Sequence, residues 1–280
     1  MKKLRLDLAL MERGLVKSRQ IAQSLIMRGA VKVDGVVNLK SGTPVSPGAS
    51  FEVLDPEPLF VSRGGFKLKK ALDEFGVAAG GKVALDAGAS TGGFTDCLLK
   101  EGAARVYAVD VGYGQLDWKL REDPRVVCLE RTNARSINRS DVPEDLDLVT
   151  LDLSFISVEK VLPAVTALLK EEGQVVVLVK PQFEAGPEKV SRGGVVRDPR
   201  VHRDVLETLI RAATGMGLAL KGLTFSPLKG PAGNIEYLAL FRKPSPASPE
   251  TTLSTERIGV VVESAFHAKL NRRGGQGPDD

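Results

Sequence analysis

The sequence predicts an α/β protein in which a small α+β domain precedes a mostly parallel sheet with helices on both faces. Five short apolar runs after residue 81 predict the sheet, because helix-length segments separate them. An Asp34-Gly35 turn between alternating apolar residues predicts a hairpin near the N-terminus. The tetrapeptide Asp55-Pro56-Glu57-Pro58 is stiff and breaks helices. We therefore predict domains at 1–54 and 62–244, a linker at 55–61, and a C-terminal segment at 245–280.

Length and composition exclude several classes of protein. The chain has 280 residues, of which 42% are hydrophobic and 26% charged, as in folded globular proteins. Two cysteines and two histidines are too few for a disulfide framework or a structural zinc site, so we expect no metal. No uncharged apolar run approaches the ~18 residues of a membrane helix, and charged residues interrupt any signal peptide. We expect a cytoplasmic protein without stable membrane insertion.

The first domain reads as two short helices on a small antiparallel sheet. The apolar residues between Leu6 and Leu10 predict one helix, which ends at Gly14. Ser18 is a candidate N-cap for a second helix that Gly29 ends. The predicted strands are Val31-Lys32-Val33, Val36-Val37 and Phe51-Glu52-Val53.

The positive charge is concentrated in this first domain. Residues 1–50 hold nine basic and three acidic residues, a net charge of +6, whereas the remaining 230 carry −2. A basic module on a near-neutral body is typical of proteins that bind polyanions, although a solvated basic surface is the alternative. The candidate polyanion-binding residues, for which the resemblance described below implies RNA as the ligand, are Arg5, Arg13, Lys17, Arg19 and Arg28.

The second domain alternates buried strands with helices. Strands are predicted at 83–85, 106–109, 126–129, 148–151 and 175–179. Asp198-Pro199 begins a helix that runs to about Met216. Strands at 218–224 and 236–241 close the sheet, one of them antiparallel. Apolar residues from Ile258 to Phe266 share one face of a last helix, and the tail after it is predicted to be disordered.

A glycine-rich turn follows the first strand of the predicted sheet, at the edge where such sheets bind ligands. Ser90 occupies the second glycine position of a dinucleotide fingerprint, which disfavours NAD. An acid before the turn, Asp86, and Asp110 after the next strand, suited to two ribose hydroxyls, favour S-adenosylmethionine. A purely structural turn is the alternative. The candidate cofactor-binding residues are Asp86, Gly88, Ala89, Ser90, Thr91, Gly92, Phe94 and Asp110.

Four charged residues are candidates for catalysis. Lys180 follows five apolar strand residues, where loss of solvent favours the uncharged amine. Asp152 follows the preceding strand, and Glu236 begins the last one. Lys67 lies just before the sheet. Each of them alone could equally be a surface charge or an ion-pair partner.

Two parts of the chain resemble known families. The string from Arg5-Leu6-Asp7 through Ser18-Arg19 to Asp34-Gly35 resembles the RNA-binding domain named after ribosomal protein S-four. The order of the four candidate catalytic residues, with the glycine turn after the first, resembles the Lys-Asp-Lys-Glu tetrad of FtsJ-type ribose 2′-O-methyltransferases. The whole chain resembles the TlyA family, also labelled haemolysin A. Some members have Arg-x-Trp-Val where this chain has Pro58-Leu59-Phe60-Val61.

The resemblance implies a Rossmann-like methyltransferase sheet that uses S-adenosylmethionine, with a small N-terminal RNA-binding domain. It implies 2′-O-methylation of cytidines in ribosomal RNA, with ribosomal RNA and ribosomal subunits as partners. In the implied mechanism Lys180 takes the hydroxyl proton, assisted by the nearby Lys67 cation, Asp152 orients Lys180, and Lys67 and Glu236 hold the ribose. The alternatives are a membrane-active haemolysin, an inactive RNA-binding protein and a dehydrogenase.

Overall fold

A computed structural model describes residues 3–16, 18–27, 29–54, 59–245 and 256–268. The chain divides into two compact units, and the boundary between them lies after Arg63. The predicted linker, 55–61, ends two residues before this boundary.

The described residues of the first unit form two helices and five short strands. The helices are α1 (Leu6–Glu12) and α2 (Arg19–Met27). Strand β1 (Leu4–Arg5) pairs with β4 (Pro44–Val45), and β2 (Val31–Val33) lies between β3 (Val36–Val37) and β5 (Phe51–Val53), with all pairs antiparallel. The hydroxyl of Ser18 accepts the N–H of Ile21 at 3.2 Å, which confirms Ser18 as the predicted cap.

The core of the first unit is apolar and lies between the helices and the strands. Leu6 and Leu10 of α1 and Leu25 and Ile26 of α2 are completely buried together with Val31. Because these residues recur at helical spacing, one face of each helix supplies the apolar core.

The second unit contains a seven-stranded sheet in the order β11-β12-β10-β9-β6-β7-β8. The strands are β6 (Val83–Ala87), β7 (Arg105–Val109), β8 (Val126–Leu129), β9 (Leu146–Leu151), β10 (Leu169–Val179), β11 (Ala219–Phe225) and β12 (Tyr237–Arg242). Strand β12 is antiparallel to both neighbours, and the pairs from β10 to β8 are parallel. The predicted α/β class, with one reversed strand, is therefore confirmed.

Helices cover the sheet. They are α3 (Gly64–Phe75), α4 (Gly93–Lys100), α5 (Trp118–Arg121), α6 (Leu162–Leu168), α7 (Pro181–Glu184), α8 (Pro199–Gly215) and α9 (Glu256–His267). Asp198 caps α8 as predicted, since its carboxylate accepts the N–H of Arg200 at 2.9 Å. Leu206 of α8 and Ile258 of α9 belong to the main core, which the apolar residues of the sheet complete.

The remaining predictions concern the last helix, the tail after it and membrane-spanning helices. The last helix is present as α9, with Ile258, Val261 and Val262 buried. The tail that was predicted to be disordered lies outside the described residues. Among the helices of the described ranges, none is long and apolar enough to cross a membrane.

Candidate active site

A cavity of about 390 Å³ opens at the carboxyl ends of the parallel strands. After β6 the chain continues to β7 and β8 on one side, and it later returns to β9 and β10 on the other. The order of the strands therefore reverses between β6 and β9. Gly88 after β6, Asp110 after β7 and Asp152 after β9 all line the cavity. Such a reversal point is where doubly wound sheets bind ligands.

Lys180 and Asp152 form an ion pair beside this cavity. The Nζ atom of Lys180 lies 2.6 Å from Oδ1 of Asp152, and the two side chains are 11% and 22% exposed. The same Nζ donates a hydrogen bond of 3.0 Å to the hydroxyl of Ser154, which also lines the cavity. Two contacts thus fix the position of the Lys180 amine at the rim.

Lys67 and Glu236 form a second, more deeply buried pair. Nζ of Lys67 donates to Oε2 of Glu236 at 2.5 Å. Oε1 of Glu236 is buried and accepts no hydrogen bond from any described residue. The positive charge of Lys67 is therefore balanced by Glu236, as that of Lys180 is by Asp152. Each lysine has its own carboxylate.

Strand register brings the two pairs to the same edge. Val179 pairs with Tyr237 across the antiparallel ladder, so Lys180 and Glu236 are the next residues on adjacent strands. Val177 pairs with Leu151 across the parallel ladder, so Asp152 follows one residue beyond that pair. Helix α3 supplies Lys67. The structure therefore brings the four candidate catalytic residues to one region of the second unit.

Gly88 allows the turn after β6 to approach β9 closely. Its φ is +85°, and a Cβ atom there would lie 2.5 Å from the carbonyl oxygen of Asp152. A side chain would therefore push away the backbone that carries a candidate catalytic carboxylate. The close contact with Asp152 therefore explains why this position is a glycine.

Asp110 holds the loops on both sides of the cavity. Its Oδ2 accepts the N–H of Ser90 at 2.8 Å, and its Oδ1 accepts the N–H of Gly112 at 2.7 Å. Ser90 itself has a φ of +48° and lines the cavity. A carboxylate is thus present at the predicted position, although both of its oxygens also hold backbone groups.

Asp86 lies beneath the turn, away from the cavity lining. Its carboxylate is completely buried and accepts hydrogen bonds from the hydroxyls of Thr95 (2.7 Å) and Thr150 (3.2 Å). Burial raises the pKa of Asp86 to about 7, against the opposing effect of Thr95, and the negative charge of Asp152 raises it further. In this structure Asp86 fastens α4 and β9 to the base of the turn.

The other predicted turn residues also lie away from the cavity lining. Phe94 is buried, and a Cβ atom on Gly92 would strike the side chains of Leu116 and Leu120. These residues shape the turn. Of the eight candidate cofactor residues, those that line the cavity are Gly88, Ser90 and Asp110, and those that do not are Asp86, Ala89, Thr91, Gly92 and Phe94.

Phe155 is a feature of the site that the sequence analysis missed. Its side chain is 91% exposed, its φ is +63°, and its ring lies 4.9 Å from that of Phe183. A bulky residue in the left-handed region is strained by about 1–2 kcal/mol, and such strain is concentrated at functional sites. The sequence signal was an aromatic residue three positions after the candidate catalytic Asp152, in a chain with few aromatic residues.

The candidate RNA-binding arginines of the first unit have different surroundings. Arg5 and Arg19 both pair with the buried carboxylate of Asp7. Arg13 donates to the carbonyl oxygens of Ala49 (2.8 Å) and Pro47 (2.5 Å) and lies over the ring of Phe51, so it fastens the C-terminal part of the unit. Lys17 and Arg28 lie outside the described residues.

Comparison with known proteins matches both units to families. Residues 60–243 match the FtsJ-like methyltransferase family, and residues 4–50 match the S4 domain. The first match covers more than half of the chain and includes all four candidate catalytic residues.

Three relatives resemble most of the chain. A candidate rRNA methyltransferase of Bacillus subtilis, YqxC, is 45% identical over 279 residues, 99% of each chain. The 16S/23S rRNA (cytidine-2′-O)-methyltransferase TlyA of Mycobacterium tuberculosis is 49% identical over 239 residues, 85% of this chain and 89% of the relative. A solved structure of a suspected hemolysin from Streptococcus thermophilus is 42% identical, has a TM-score of 0.74, and covers 95% of this chain and 96% of its own.

Proposed function

Because the chain belongs to the FtsJ-like methyltransferase family, and within it to the TlyA group, we propose that it methylates the 2′-hydroxyl of cytidine in ribosomal RNA. The methyl donor is S-adenosylmethionine. The proposal depends on two ion pairs, Lys180–Asp152 and Lys67–Glu236, at neighbouring strand ends. Asp152 of the first pair lines the cavity at the strand-order reversal. A cytidine substrate is supported by the printed activity of the Mycobacterium tuberculosis relative.

The residues around the cavity fit this cofactor. Asp110 offers a carboxylate at the end of β7, where a ribose diol can bind, and Gly88 lines the same cavity without a side chain. Gln115 and Asn133 add amide groups to the lining. S-adenosylmethionine, when bound, supplies an activated methyl group, so the protein must mainly orient the acceptor and remove its proton.

Lys180 is proposed to take or share the proton of the 2′-hydroxyl. Its amine is held by Asp152 and Ser154 at the cavity rim, so it can meet an acceptor that enters from the cavity side. The amine can take this proton only after it has released to solvent the proton that it carries in the ion pair with Asp152. Asp152 then orients the neutral amine and balances the positive charge that forms as the hydroxyl proton arrives. In this scheme both residues are catalytic.

Lys67 and Glu236 are proposed to hold the ribose from below. Their pair is almost fully buried, so it gives the site a fixed polar floor. The oxygen Oε1 of Glu236 is the acceptor that this floor can offer to a sugar hydroxyl. Each of the two residues also fixes the position of the other.

Phe155 is proposed to contact the base of the target nucleotide. Its exposed ring lines the cavity and packs on Phe183, which also lies near the amine of Lys180. RNA-modifying enzymes hold unstacked bases on aromatic rings of this kind. The strained backbone at Phe155 is consistent with a ring that is kept exposed for a ligand.

The S4 domain is proposed to supply most of the affinity for ribosomal RNA, in the cytoplasm. Its charge supports this role, because nine of the first fifty residues are basic. Contacts with phosphates predict binding that weakens steeply as the salt concentration rises.

Transfer of labelled methyl groups tests the function. Purified protein is incubated with S-adenosylmethionine and bacterial 16S or 23S ribosomal RNA, free or in ribosomal subunits, and 2′-O-methyl groups are mapped by alkaline-resistance sequencing. We expect new protection at cytidines. Methylation on a base, or no transfer to any of these substrates, would contradict the proposal, and the latter would favour an inactive RNA-binding protein.

A further inference from the structure

We propose that the buried carboxylate of Asp7 positions Arg5 and Arg19 as a two-guanidinium site for an RNA phosphate. The inference rests on the proposed function, since ribosomal RNA would supply the phosphate. It gives a positioning role to an acidic residue whose charge alone should oppose the binding of RNA.

Asp7 is at the centre of a dense set of hydrogen bonds. Its side chain has no exposed surface. Oδ1 accepts Nε of Arg5 at 3.0 Å and the backbone N–H of Leu8 at 3.0 Å. Oδ2 accepts Nη2 of Arg5 at 2.9 Å, Nε of Arg19 at 3.1 Å and Nε2 of Gln23 at 3.0 Å. The carboxylate therefore ties the β1–α1 junction to α2.

The two guanidinium groups are held close together. Nη2 of Arg5 and Nε of Arg19 each lie about 3 Å from the same oxygen, so they are at most about 6 Å apart. Two cations repel each other at this distance, and the shared carboxylate offsets the repulsion. Without Asp7 the two side chains would separate, because nothing else in these contacts holds both of them.

Both arginines keep a large part of their surface open. The side chains of Arg5 and Arg19 are 46% and 49% exposed, although the carboxylate that they share is fully buried. Arg19 contacts Asp7 through Nε, and about half of its side chain is exposed. This differs from Arg13, whose Nη groups are both bonded to carbonyl oxygens.

A phosphate is the ligand that this arrangement fits. Guanidinium groups donate parallel hydrogen bonds to the oxygens of phosphate, and paired groups add direction to the charge. A side chain that is already fixed by Asp7 also loses less conformational freedom when it binds. For Asp7 to favour RNA binding, the affinity gained by fixing the arginines must exceed the affinity lost by placing its negative charge near the RNA.

Two explanations, positioning of the arginines by Asp7 and net charge alone, predict opposite changes in RNA affinity when Asp7 is replaced by asparagine. Asp7→Asn raises the net charge of the S4 domain by one, and so does Asp34→Asn in the hairpin turn. Asp34 contacts neither arginine, and its Oδ1 accepts from the N–H and hydroxyl of Ser50, which an asparagine oxygen can also do. If charge alone governs binding, both variants bind RNA more tightly than the wild type.

We expect Asp34→Asn to bind 23S ribosomal RNA as tightly as the wild type or more tightly, and Asp7→Asn to bind it about tenfold more weakly. Filter binding of the full-length proteins over a salt series measures both. The slope of log K against log salt should fall by about one for Asp7→Asn, as for the loss of a phosphate contact. Equal or tighter binding by Asp7→Asn would overturn the proposal.

A purely structural role for Asp7 is tested in two ways. In a protein that carries Arg5→Gln and Arg19→Gln, adding Asp7→Asn should weaken binding no further, and an undiminished tenfold effect would overturn the proposal. The variants Arg5→Lys and Arg19→Lys keep the charge but lose the contacts of Nε with Asp7. They should each weaken binding, and unchanged affinity in both would also contradict the proposal, even if Asp7→Asn fails to fold.

Methyl transfer separates this inference from the proposed function. At saturating RNA, kcat of Asp7→Asn should equal that of the wild type while KM for RNA rises. If the wild type transfers no methyl group, the proposed function fails, and the comparison of RNA affinities still decides the role of Asp7.

Discussion

Lys67 and Glu236 lie 169 residues apart in the sequence and form a 2.5 Å ion pair that is almost completely shielded from solvent. The pair joins α3 to the start of β12, next to the strand end that carries Lys180. A buried pair of this kind depends on both partners, because a single charge left without its partner is costly.

Glu236→Gln should therefore destabilise the second unit by about 3–5 kcal/mol, since it leaves the ammonium of Lys67 buried without a counter-charge. The double variant Lys67→Met and Glu236→Gln should recover much of this loss while remaining inactive. Urea denaturation of the full chain measures the free energy of unfolding. A double variant that is less stable than Glu236→Gln would show that the pair stabilises the fold on balance.

Gly88→Ala should lower both stability and the affinity for S-adenosylmethionine. A Cβ atom would meet the carbonyl oxygen of Asp152 at 2.5 Å, in addition to the strain at a φ of +85°. Gly81→Ala is the matched control, because its φ is +70° and nothing lies within 4 Å of its Cβ position. We expect the control to cost about 1–2 kcal/mol and to bind the cofactor normally in calorimetry. Equal effects of both variants would mean that the contact with Asp152 is unimportant.

Asp86→Asn should gain stability relative to the wild type as the pH rises from 4 to 8. The pKa of Asp86 is raised from 3.8 to about 7, so the contribution of the protonated carboxyl is full below pH 3.8 and is lost as the pH passes 7. The amide does not ionise and bears no such cost. Urea denaturation at pH 5 and pH 8 measures the difference, with Asp34→Asn as an exposed reference. If the difference in unfolding free energy between Asp86→Asn and the wild type is the same at both pH values, the raised pKa of Asp86 is refuted.

Arg13 and Arg19 should give opposite results on replacement by alanine. Arg13 donates to two carbonyl oxygens and covers Phe51, so Arg13→Ala should lower the melting temperature and change RNA affinity less. Arg19→Ala should weaken RNA binding more than it changes the melting temperature. Filter binding and differential scanning calorimetry on the same preparations separate the two effects. The prediction fails if Arg13→Ala is the weaker binder of the two.

Much of the fold could be predicted because its signals are local. Apolar runs that end in polar residues mark β6, β7, β9 and β10, and the Asp198-Pro199 cap marks the start of α8. The carboxyl ends of parallel strands share one edge of a sheet. Asp110, Asp152 and Lys180 each follow a predicted strand, so the sequence alone places them at that edge.

The pairing of Asp152 with Lys180 was expected only from the family resemblance, and the pairing of Lys67 with Glu236 was not expected. Whether Lys180 meets Asp152 or Glu236 depends on side-chain packing between strands, and the reversal of β12 places Glu236 beside it without a local signal. The hydrogen-bonding roles of Asp7 and Asp86 could not be predicted either, because an acidic residue among apolar neighbours does not show which distant side chains will bury and bond it. The role of each aspartate depends on its burial, and burial is set by the packing of the whole fold.

The central claim is that Lys180 removes the proton of the acceptor hydroxyl, and single-turnover methyl transfer by Lys180→Ala tests it most directly. Lys189→Ala is the control, since Lys189 pairs with Asp204 and is no part of the site. We predict that Lys180→Ala loses about 10²- to 10⁴-fold in rate, that it binds S-adenosylmethionine and RNA as the wild type does, and that the control is unaffected. A Lys180→Ala protein that keeps more than about a tenth of the wild-type rate would contradict the account, since general acid–base groups contribute far more than that.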